Sequence, residues 1–217
     1  MIMHFLVSRP EHEDTVFYLS VWSKELLDKA VQKGFQVLDC HREKASAKTV
    51  EAMLKNHLPE LVLFNGHGSE NAVFGHNNEV LVEKDRNDGL LKNKIVFSRS
   101  CRSADGLGPS AVQNGCRAFI GYEDDFAFWI DHANSAIPLN DKFARPFFKA
   151  SNQVIHSLLS GNTALEANQR SKAVFDEEIK KFLGSAAPPE AEYILPLLYW
   201  NKINQVVVGD QNAKLSE

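Results

Sequence analysis

The feature that most constrains this fold is the alternation of short apolar runs with longer amphipathic stretches over the first 122 residues. Five runs have the length and side-chain content of buried strands: HFLVS at 4–8, FQVLDC at 35–40, ELVLFN at 60–65, KIVFSRS at 94–100 and CRAFIGY at 116–122. Between them, residues 14–33 and 47–58 place apolar side chains at helical spacing. This alternation predicts a parallel sheet with helices on both faces.

Two parts of the chain depart from the alternation. Residues 71–84 contain two short extended segments around the turn HNNE and predict a small hairpin, after which the helix is reduced to DGLLKN. Beyond residue 122, helical periodicity covers 136–160 and 163–183, a loop follows at GSAAPPEAE, and QVVVGD forms a last strand. We therefore expect a single α/β domain over residues 1–217, with about six mostly parallel strands.

Composition and charge exclude several classes of partner. The formal charge of −4 gives no reason to expect a nucleic acid or an anionic membrane, because both require a clustered basic surface. No apolar run approaches the roughly 20 residues of a membrane span, and the N-terminal MIMHFLV is too short for a signal peptide. The 3 cysteines lack the CxxC spacing of metal sites and fit a reducing compartment. A cytoplasmic location is expected.

Two reactive side chains follow neighbouring apolar runs. His67 follows the third run and Cys101 follows the fourth, 34 residues later. The carboxyl ends of parallel strands share one edge of a sheet, so we expect the imidazole to act there as a base and the thiol as a nucleophile. Gly68 permits a sharp turn, and its N–H is expected to form an oxyanion hole with that of Cys101. Cys116, which begins the fifth run at the opposite edge, and Cys40 are expected in the core.

The motifs NGHGS at 65–69 and SRSCRS at 98–103 resemble those of the caspase-hemoglobinase fold cysteine peptidases, which include caspases, metacaspases, legumain, gingipains, separase and CHAT-domain proteases. In that family a His-Gly pair ends one strand and a catalytic Cys ends its neighbour, and these roles carry onto His67, Gly68 and Cys101. The resemblance implies a three-layer caspase-like sandwich that hydrolyses protein or peptide substrates through an acyl-enzyme, without a cofactor. It also implies control by a regulatory protein partner, as in a bacterial defence or cell-death system.

The resemblance covers residues 1–125 by strand order, and the final LLYWNKINQVVVGD is similar to the end of CHAT-like domains. The caspase signature QAC(R/Q/G)G is absent, although Cys101-Arg102 matches part of it, and the spacing is shorter than the roughly 50 residues of caspases. A caspase in the narrow sense is therefore not expected. Arg99 and Arg102 predict an electropositive setting for the thiol, which lowers a thiol pKa.

Charged residues near Cys101 give opposing indications of substrate specificity. Arg99 stands two residues before Cys101, where members of the resembling family place a pocket residue, and it favours an acidic substrate side chain. The loop after the fifth run carries three carboxylates, which favour a basic one: Glu123, Asp124 and Asp125. Because the carboxylates outnumber the guanidinium, Arg or Lys before the scissile bond is preferred.

Other interpretations of these residues remain open. His67 is also compatible with a structural imidazole bonded to loop backbone, and the whole domain with a catalytically silent module used for binding or assembly. A zinc site formed by His67, His76 and Cys101 matches no standard ligand spacing. Ser69 is not expected to be a nucleophile, because the segment lacks the G-x-S-x-G elbow.

Overall fold

The structure, a computed structural model, describes residues 2–215 and consists of helices packed on both faces of a central sheet. Its strands are β1 (His4–Arg9), β2 (Gln36–His41), β3 (Leu61–Phe64), β4 (Ala72–Phe74), β5 (Val80–Glu83), β6 (Ile95–Ser98), β7 (Ala118–Tyr122) and β8 (Gln205–Gly209). Its α-helices are α1 (Asp14–Trp22), α2 (Lys24–Gln32), α3 (Ala47–Asn56), α4 (Leu107–Gln113), α5 (Arg145–Leu158), α6 (Ala164–Leu183) and α7 (Ala191–Asn204). Within residues 2–215, no helix combines the length and the apolarity that crossing a bilayer requires.

The central sheet has 6 strands in the order β2-β1-β3-β6-β7-β8. The strand pairs from β2 to β7 are parallel, and β8 is antiparallel to β7. This confirms the predicted α/β sandwich with a mostly parallel sheet. It also brings β1 next to β3 and β3 next to β6, so the loops that leave these three strands share one edge.

Side chains of the central strands alternate between two buried apolar layers. On one face, Leu63 and Phe97 pack with residues of α1, α2, α5, α6 and α7. On the other face, Val62 and Val96 pack with residues of α3, α4 and the β4-β5 hairpin. Burial on both faces explains why the strands read as uninterrupted apolar runs, since neither face of such a strand meets water.

The hairpin predicted over 71–84 is present as the antiparallel pair β4 and β5. Its turn contains Asn77 and Asn78 at φ 53° and 59°, a left-handed conformation that Asn tolerates better than most residues. DGLLKN contributes a short 3₁₀ turn at Asp88–Leu91 rather than a crossover helix. The hairpin therefore projects beside the edge of the sheet where His67 lies.

Residues 14–33 form two helices rather than one, because the chain bends at Ser23. The buried Ser23 hydroxyl donates to the carbonyl of Leu19 at 2.6 Å and accepts from the guanidinium of Arg99. A serine that bonds back to the preceding turn often bends a helix, and apolar periodicity does not reveal this. The bend therefore joins the α1-α2 junction to Arg99, the residue that directly follows β6.

The helix predicted over 136–160 begins only at Arg145. The carboxylate of Asp141 accepts the backbone N–H groups of Phe143 and Ala144 at 2.8 and 2.9 Å. A side-chain oxygen that captures backbone donors in this way offers an alternative to helical hydrogen bonds. The helix predicted over 163–183 and the last strand QVVVGD are both confirmed, as α6 and β8.

Candidate active site

His67 lies in the loop that leaves the carboxyl end of β3. Gly66, directly before it, has φ +137°, and a Cβ there would lie 2.4 Å from the carbonyl oxygen of Phe74 and 3.3 Å from Cγ of Pro10. Glycine permits both this conformation and this close approach. The His67 loop is therefore held between the hairpin on one side and the segment that leaves β1 on the other, with the imidazole partly exposed.

Gly68 brings the same loop against the turn that follows β6. A Cβ at position 68 would lie 2.6 Å from the carbonyl oxygen of Cys101 and 2.9 Å from its backbone nitrogen. Gly68 also faces Val73 in an isolated antiparallel bridge, and the hydrogen bonds of this bridge are made by the residues on either side. The N–H of Gly68 thus takes no part in the bridge, although its backbone touches that of Cys101.

Glu13 contacts Nε2 of His67 through Oε1, and this partner was not predicted from the sequence. Glu13 lies immediately before α1, in the segment that leaves β1, and β1 pairs with β3. A carboxylate that accepts from Nε2 favours the tautomer with its proton on Nε2 and an unshared pair on Nδ1. The signal for Glu13 was its position after the first apolar run, but using it requires knowing that β1 and β3 are neighbours.

The Cys101 thiol is partly buried at the start of the turn after β6. Burial raises its pKa, the backbone N–H of Phe126 opposes the rise, and the carboxylate of Asp125 adds to it. The predicted electropositive setting is wrong, in part because the guanidinium of Arg102 is directed to Asp124, with Nε and Oδ1 3.4 Å apart. The resting thiol is therefore protonated at neutral pH and needs a base to ionise.

Arg99 is directed away from the surface that Cys101 borders. Its side chain is 1% exposed, and the guanidinium donates to Oδ1 of Asn65 at 2.6 and 2.9 Å and to Oδ1 of Asn152 at 2.7 Å. Burial lowers its pKa to about 10, so it remains charged at neutral pH. Because side chains alternate between the two faces of a strand, Arg99 points to the same face as Phe97, into the layer of α1, α2 and α5. In this structure Arg99 therefore does not present its charge to the surface beside Cys101, where its sequence position suggested a pocket.

The acidic loop that leaves β7 lies beside the turn containing Cys101. The N–H of Arg102 donates to the carbonyl of Asp124 at 3.1 Å, and Asp125 approaches the thiol itself. Glu123 is exposed, and its N–H bonds to the end of α7. Two of the three carboxylates predicted to bind substrate are thus near Cys101, and the third lies further along the same edge.

An open cleft borders His67 and Gly68 and is lined also by Phe74 and Asn78. A larger cavity lies between α5 and α6, where Lys149 and Glu178 are among its lining residues. That larger cavity includes none of the predicted site residues. We place the candidate site at the cleft beside His67, because His67 and Gly68 line it and the backbone of Gly68 lies against that of Cys101.

The other two cysteines are buried, as predicted. Burial raises the pKa of both Cys40 and Cys116 to about 12. A buried thiol with so high a pKa is almost entirely protonated at neutral pH and hence unreactive. Cys101 is the cysteine with partial exposure.

A cluster of side chains that could bind a metal ion overlaps the candidate site. His12, Glu13 and His67 each offer one ligand atom, and these atoms lie within 4.8 Å of one another. Within residues 2–215, no other group of three or more metal-ligating side chains comes this close together. Cys101 is not part of the group. The alternative zinc site of His67, His76 and Cys101 is accordingly not assembled within residues 2–215.

Comparisons with known proteins find similar folds among solved structures but no relative that is close in sequence. No protein-family model matches the chain, and no curated protein matches it. The crystal structure of the Arg-specific cysteine proteinase gingipain R is similar, with a TM-score of 0.62 and 14% identity over 98% of this chain and 47% of that one. The complex of the pro- and mature domains of Porphyromonas gingivalis RgpB has a TM-score of 0.60 and 12% identity over 97% and 47%.

The chain thus spans about half the length of the solved structures that it matches. At this level of identity the likeness concerns the fold. The chain has the caspase-hemoglobinase fold, as the NGHGS and SRSCRS motifs and the strand order predicted.

Proposed function

We propose that this chain is a cysteine endopeptidase that hydrolyses peptide bonds through an acyl-enzyme, with Cys101 as nucleophile and His67 as general base. The observation that carries the proposal is the arrangement at one sheet edge. Glu13 holds the imidazole of His67, and the adjacent Gly68 packs on the backbone of Cys101. A nucleophile, a base and a group that orients the base are the components of covalent hydrolysis.

In the proposed mechanism, Nδ1 of His67 accepts the thiol proton of Cys101 when substrate arrives, because Glu13 engages Nε2. The thiolate adds to the scissile carbonyl carbon, and the imidazolium then protonates the leaving amine as the C–N bond breaks. Water, deprotonated by the same imidazole, hydrolyses the resulting thioester. The raised pKa of the Cys101 thiol fits a nucleophile that ionises only in this step.

Backbone donors for the oxyanion are proposed at Gly68 and Cys101. The N–H of Gly68 is outside the hydrogen bonds of the bridge to Val73, and its backbone lies against that of Cys101. Two converging N–H groups stabilise the negative charge that develops on the carbonyl oxygen. Glycine is required at position 68 for this approach, because a Cβ there would collide with the backbone of Cys101.

For specificity, we propose Arg or Lys before the scissile bond. Arg99 is buried and does not present its charge to this surface, so the remaining charges near Cys101 are mainly acidic. Asp125 is exposed and lies beside the thiol, and Asp124 and Glu123 belong to the same loop. A substrate guanidinium or ammonium pairs favourably with these carboxylates. One of the similar solved structures is named as Arg-specific, which supports the same direction.

We also propose a regulatory protein partner and a single peptidase domain over residues 1–217, located in the cytoplasm, with no nucleic acid, membrane or cofactor involved. One solved structure with the same fold is a complex of pro- and mature domains, which supports regulation by a protein segment. The alternative is a catalytically silent module with the same fold, used for binding or assembly.

Fluorogenic peptides ending in Arg, Lys, Asp, Asn or Leu test the proposal directly. The parent chain is expected to release fluorophore from the Arg and Lys peptides, and Cys101→Ala is expected to release none. Cys116→Ala serves as the matched control and retains activity. Equal measurable rates for the parent and Cys101→Ala would refute Cys101 as nucleophile. Absence of cleavage of every peptide by the parent would leave the silent module as the better description.

A further inference from the structure

Three metal-ligating side chains meet on two segments that the fold holds together. His12 and Glu13 lie in the segment that leaves β1, and His67 lies in the loop that leaves β3. Their ligand atoms are all within 4.8 Å of one another. In a tetrahedral zinc site, bonds of about 2.0–2.2 Å place ligand atoms roughly 3.3 Å apart. Small side-chain rotations therefore suffice to bring these atoms onto one ion.

His12 carries an independent indication of a missing partner. Its Nε2 lies 3.3 Å from Oδ1 of Asn78, and its Nδ1 is buried without a hydrogen-bond partner among the described residues. If Nε2 donates its proton to Asn78, Nδ1 keeps an unshared pair. Buried nitrogens of this kind are normally satisfied, and an unshared imidazole pair is the form that coordinates a metal.

The segments that carry the three ligands are fixed by their surroundings. Pro10, two residues before His12, packs against Gly66, directly before His67. The ring of His76 in the hairpin turn lies 5.3 Å from that of His12, edge to face. A site on such restrained backbone loses little conformational entropy when an ion binds.

We infer that His12, Glu13 and His67 form a binding site for a divalent transition-metal cation, Zn²⁺ in particular. Two imidazoles and one carboxylate form a three-ligand set that zinc takes with a fourth position open. Imidazole nitrogen favours zinc and its neighbours in the first transition series over Mg²⁺ or Ca²⁺, which take oxygen ligands. The site shares His67 with the proposed catalytic pair but does not use Cys101.

Occupation of this site inhibits the peptidase, a consequence that rests on the proposed function. Zinc takes the position of the proton between Glu13 and Nε2 of His67, and that proton moves to Nδ1. The imidazole then has no unshared pair with which to accept the thiol proton of Cys101. Removal of zinc by a chelator restores the original tautomer, so the inhibition is reversible.

Isothermal titration of ZnCl₂ into the full chain, in chelator-free buffer at pH 7.5, tests the site without reference to activity. One zinc per chain is expected. His12→Gln and Glu13→Gln should each weaken binding by at least about 10- to 100-fold, because even a residue that only orients a ligand costs that much when it is lost. His57→Gln is the matched control and should bind as the parent does, because His57 lies at the opposite edge of the sheet, next to His4.

Cys101→Ala separates this site from one that uses the thiol. It should bind zinc as the parent does, and X-ray absorption of the loaded chain should show nitrogen and oxygen neighbours without sulfur. Unchanged affinity in both His12→Gln and Glu13→Gln, or loss of binding in Cys101→Ala, would overturn the inference. Metal bound to a chain that cleaves no peptide would leave the site intact and refute only the proposed function. Peptidase activity in a chain that binds no zinc would support the proposed function and refute the metal site.

Discussion

The backbone of Gly68 lies against that of Cys101, so closely that a methyl group at position 68 would fall 2.6 Å from the Cys101 carbonyl oxygen. This contact joins the loop after β3 to the turn after β6. It determines how near the imidazole-bearing loop comes to the thiol-bearing turn.

Replacing Gly68 with Ala should reduce both stability and peptidase activity. The added methyl has no room, and overpacking costs about 1–3 kcal/mol of unfolding free energy. Gly89→Ala is the control, because a Cβ there meets nothing within 4 Å, and it should match or slightly exceed the parent in stability. Urea unfolding and peptide hydrolysis measure the two effects. A Gly68→Ala chain as stable and as active as the parent would contradict the close contact.

Cys101→Ala and His67→Ala should each lower kcat/KM on an Arg or Lys peptide by more than about 10³-fold. The double variant should be little worse than either single one, because the base has no role without the nucleophile. Circular dichroism should show all three folded. Losses that multiply in the double variant would mean that the two residues act independently.

Glu13→Gln should lower kcat by about 10²-fold or more while KM changes little, because the amide no longer fixes the imidazole tautomer. Glu13 is a positioning residue, so Glu13→Asp should recover part of the rate. The test is the split between kcat and KM across the three chains. An effect on KM alone would instead assign Glu13 to substrate binding.

Alkylation by iodoacetamide should label Cys101 first and should accelerate with pH. A pKa raised above the ordinary value of 9.0 leaves little thiolate at pH 7, so the rate should rise about tenfold per pH unit from 7 to 9. Cys40 and Cys116, with pKa values of about 12, should stay unlabelled in the folded chain. Peptide mass mapping after brief exposure distinguishes the sites. Prior labelling of Cys116, or a Cys101 rate that is flat below pH 9, would contradict this environment.

Arg99→Lys should destabilise the chain by about 2–4 kcal/mol, because an ammonium cannot replace the guanidinium fork and leaves buried acceptors unpaired. Arg102→Lys is the control on an exposed side chain and should change the free energy of unfolding by less than about 0.5 kcal/mol. Denaturant unfolding measures both. Equal stability of the two variants would argue against the observed network around Arg99.

Most of the sheet could be predicted from the sequence because its strands are buried on both faces and read as continuous apolar runs. The same reasoning located His67, Gly68 and Cys101, since residues that follow parallel strands meet at one edge. Glu13 could not be found in this way. Its role depends on β1 lying beside β3, and the order of strands within a sheet leaves no local mark on a sequence.

Arg99 shows a second reason why prediction from the sequence was incomplete. Its place two residues before Cys101 suggested a pocket, yet the alternation of side chains along β6 directs it into the layer of α1, α2 and α5. Burial of the guanidinium is tolerable because it donates hydrogen bonds to Ser23, Asn65 and Asn152. These residues come from distant parts of the chain. The bend at Ser23 was missed for the same reason, since its cause is a tertiary contact.

The hydrogen bonds of Arg99 have a consequence for how this chain can evolve. One guanidinium satisfies acceptors contributed by the α1-α2 junction, the exit of β3 and α5. Loss of Arg99 alone leaves Asn65 and Asn152 with buried oxygens lacking a donor, whereas loss of those amides alone strands a buried cation. Neither order of single replacements is neutral. Homologous chains should therefore keep these positions together or exchange them as a set, and such covariation would be visible in an alignment long before any relative is assayed.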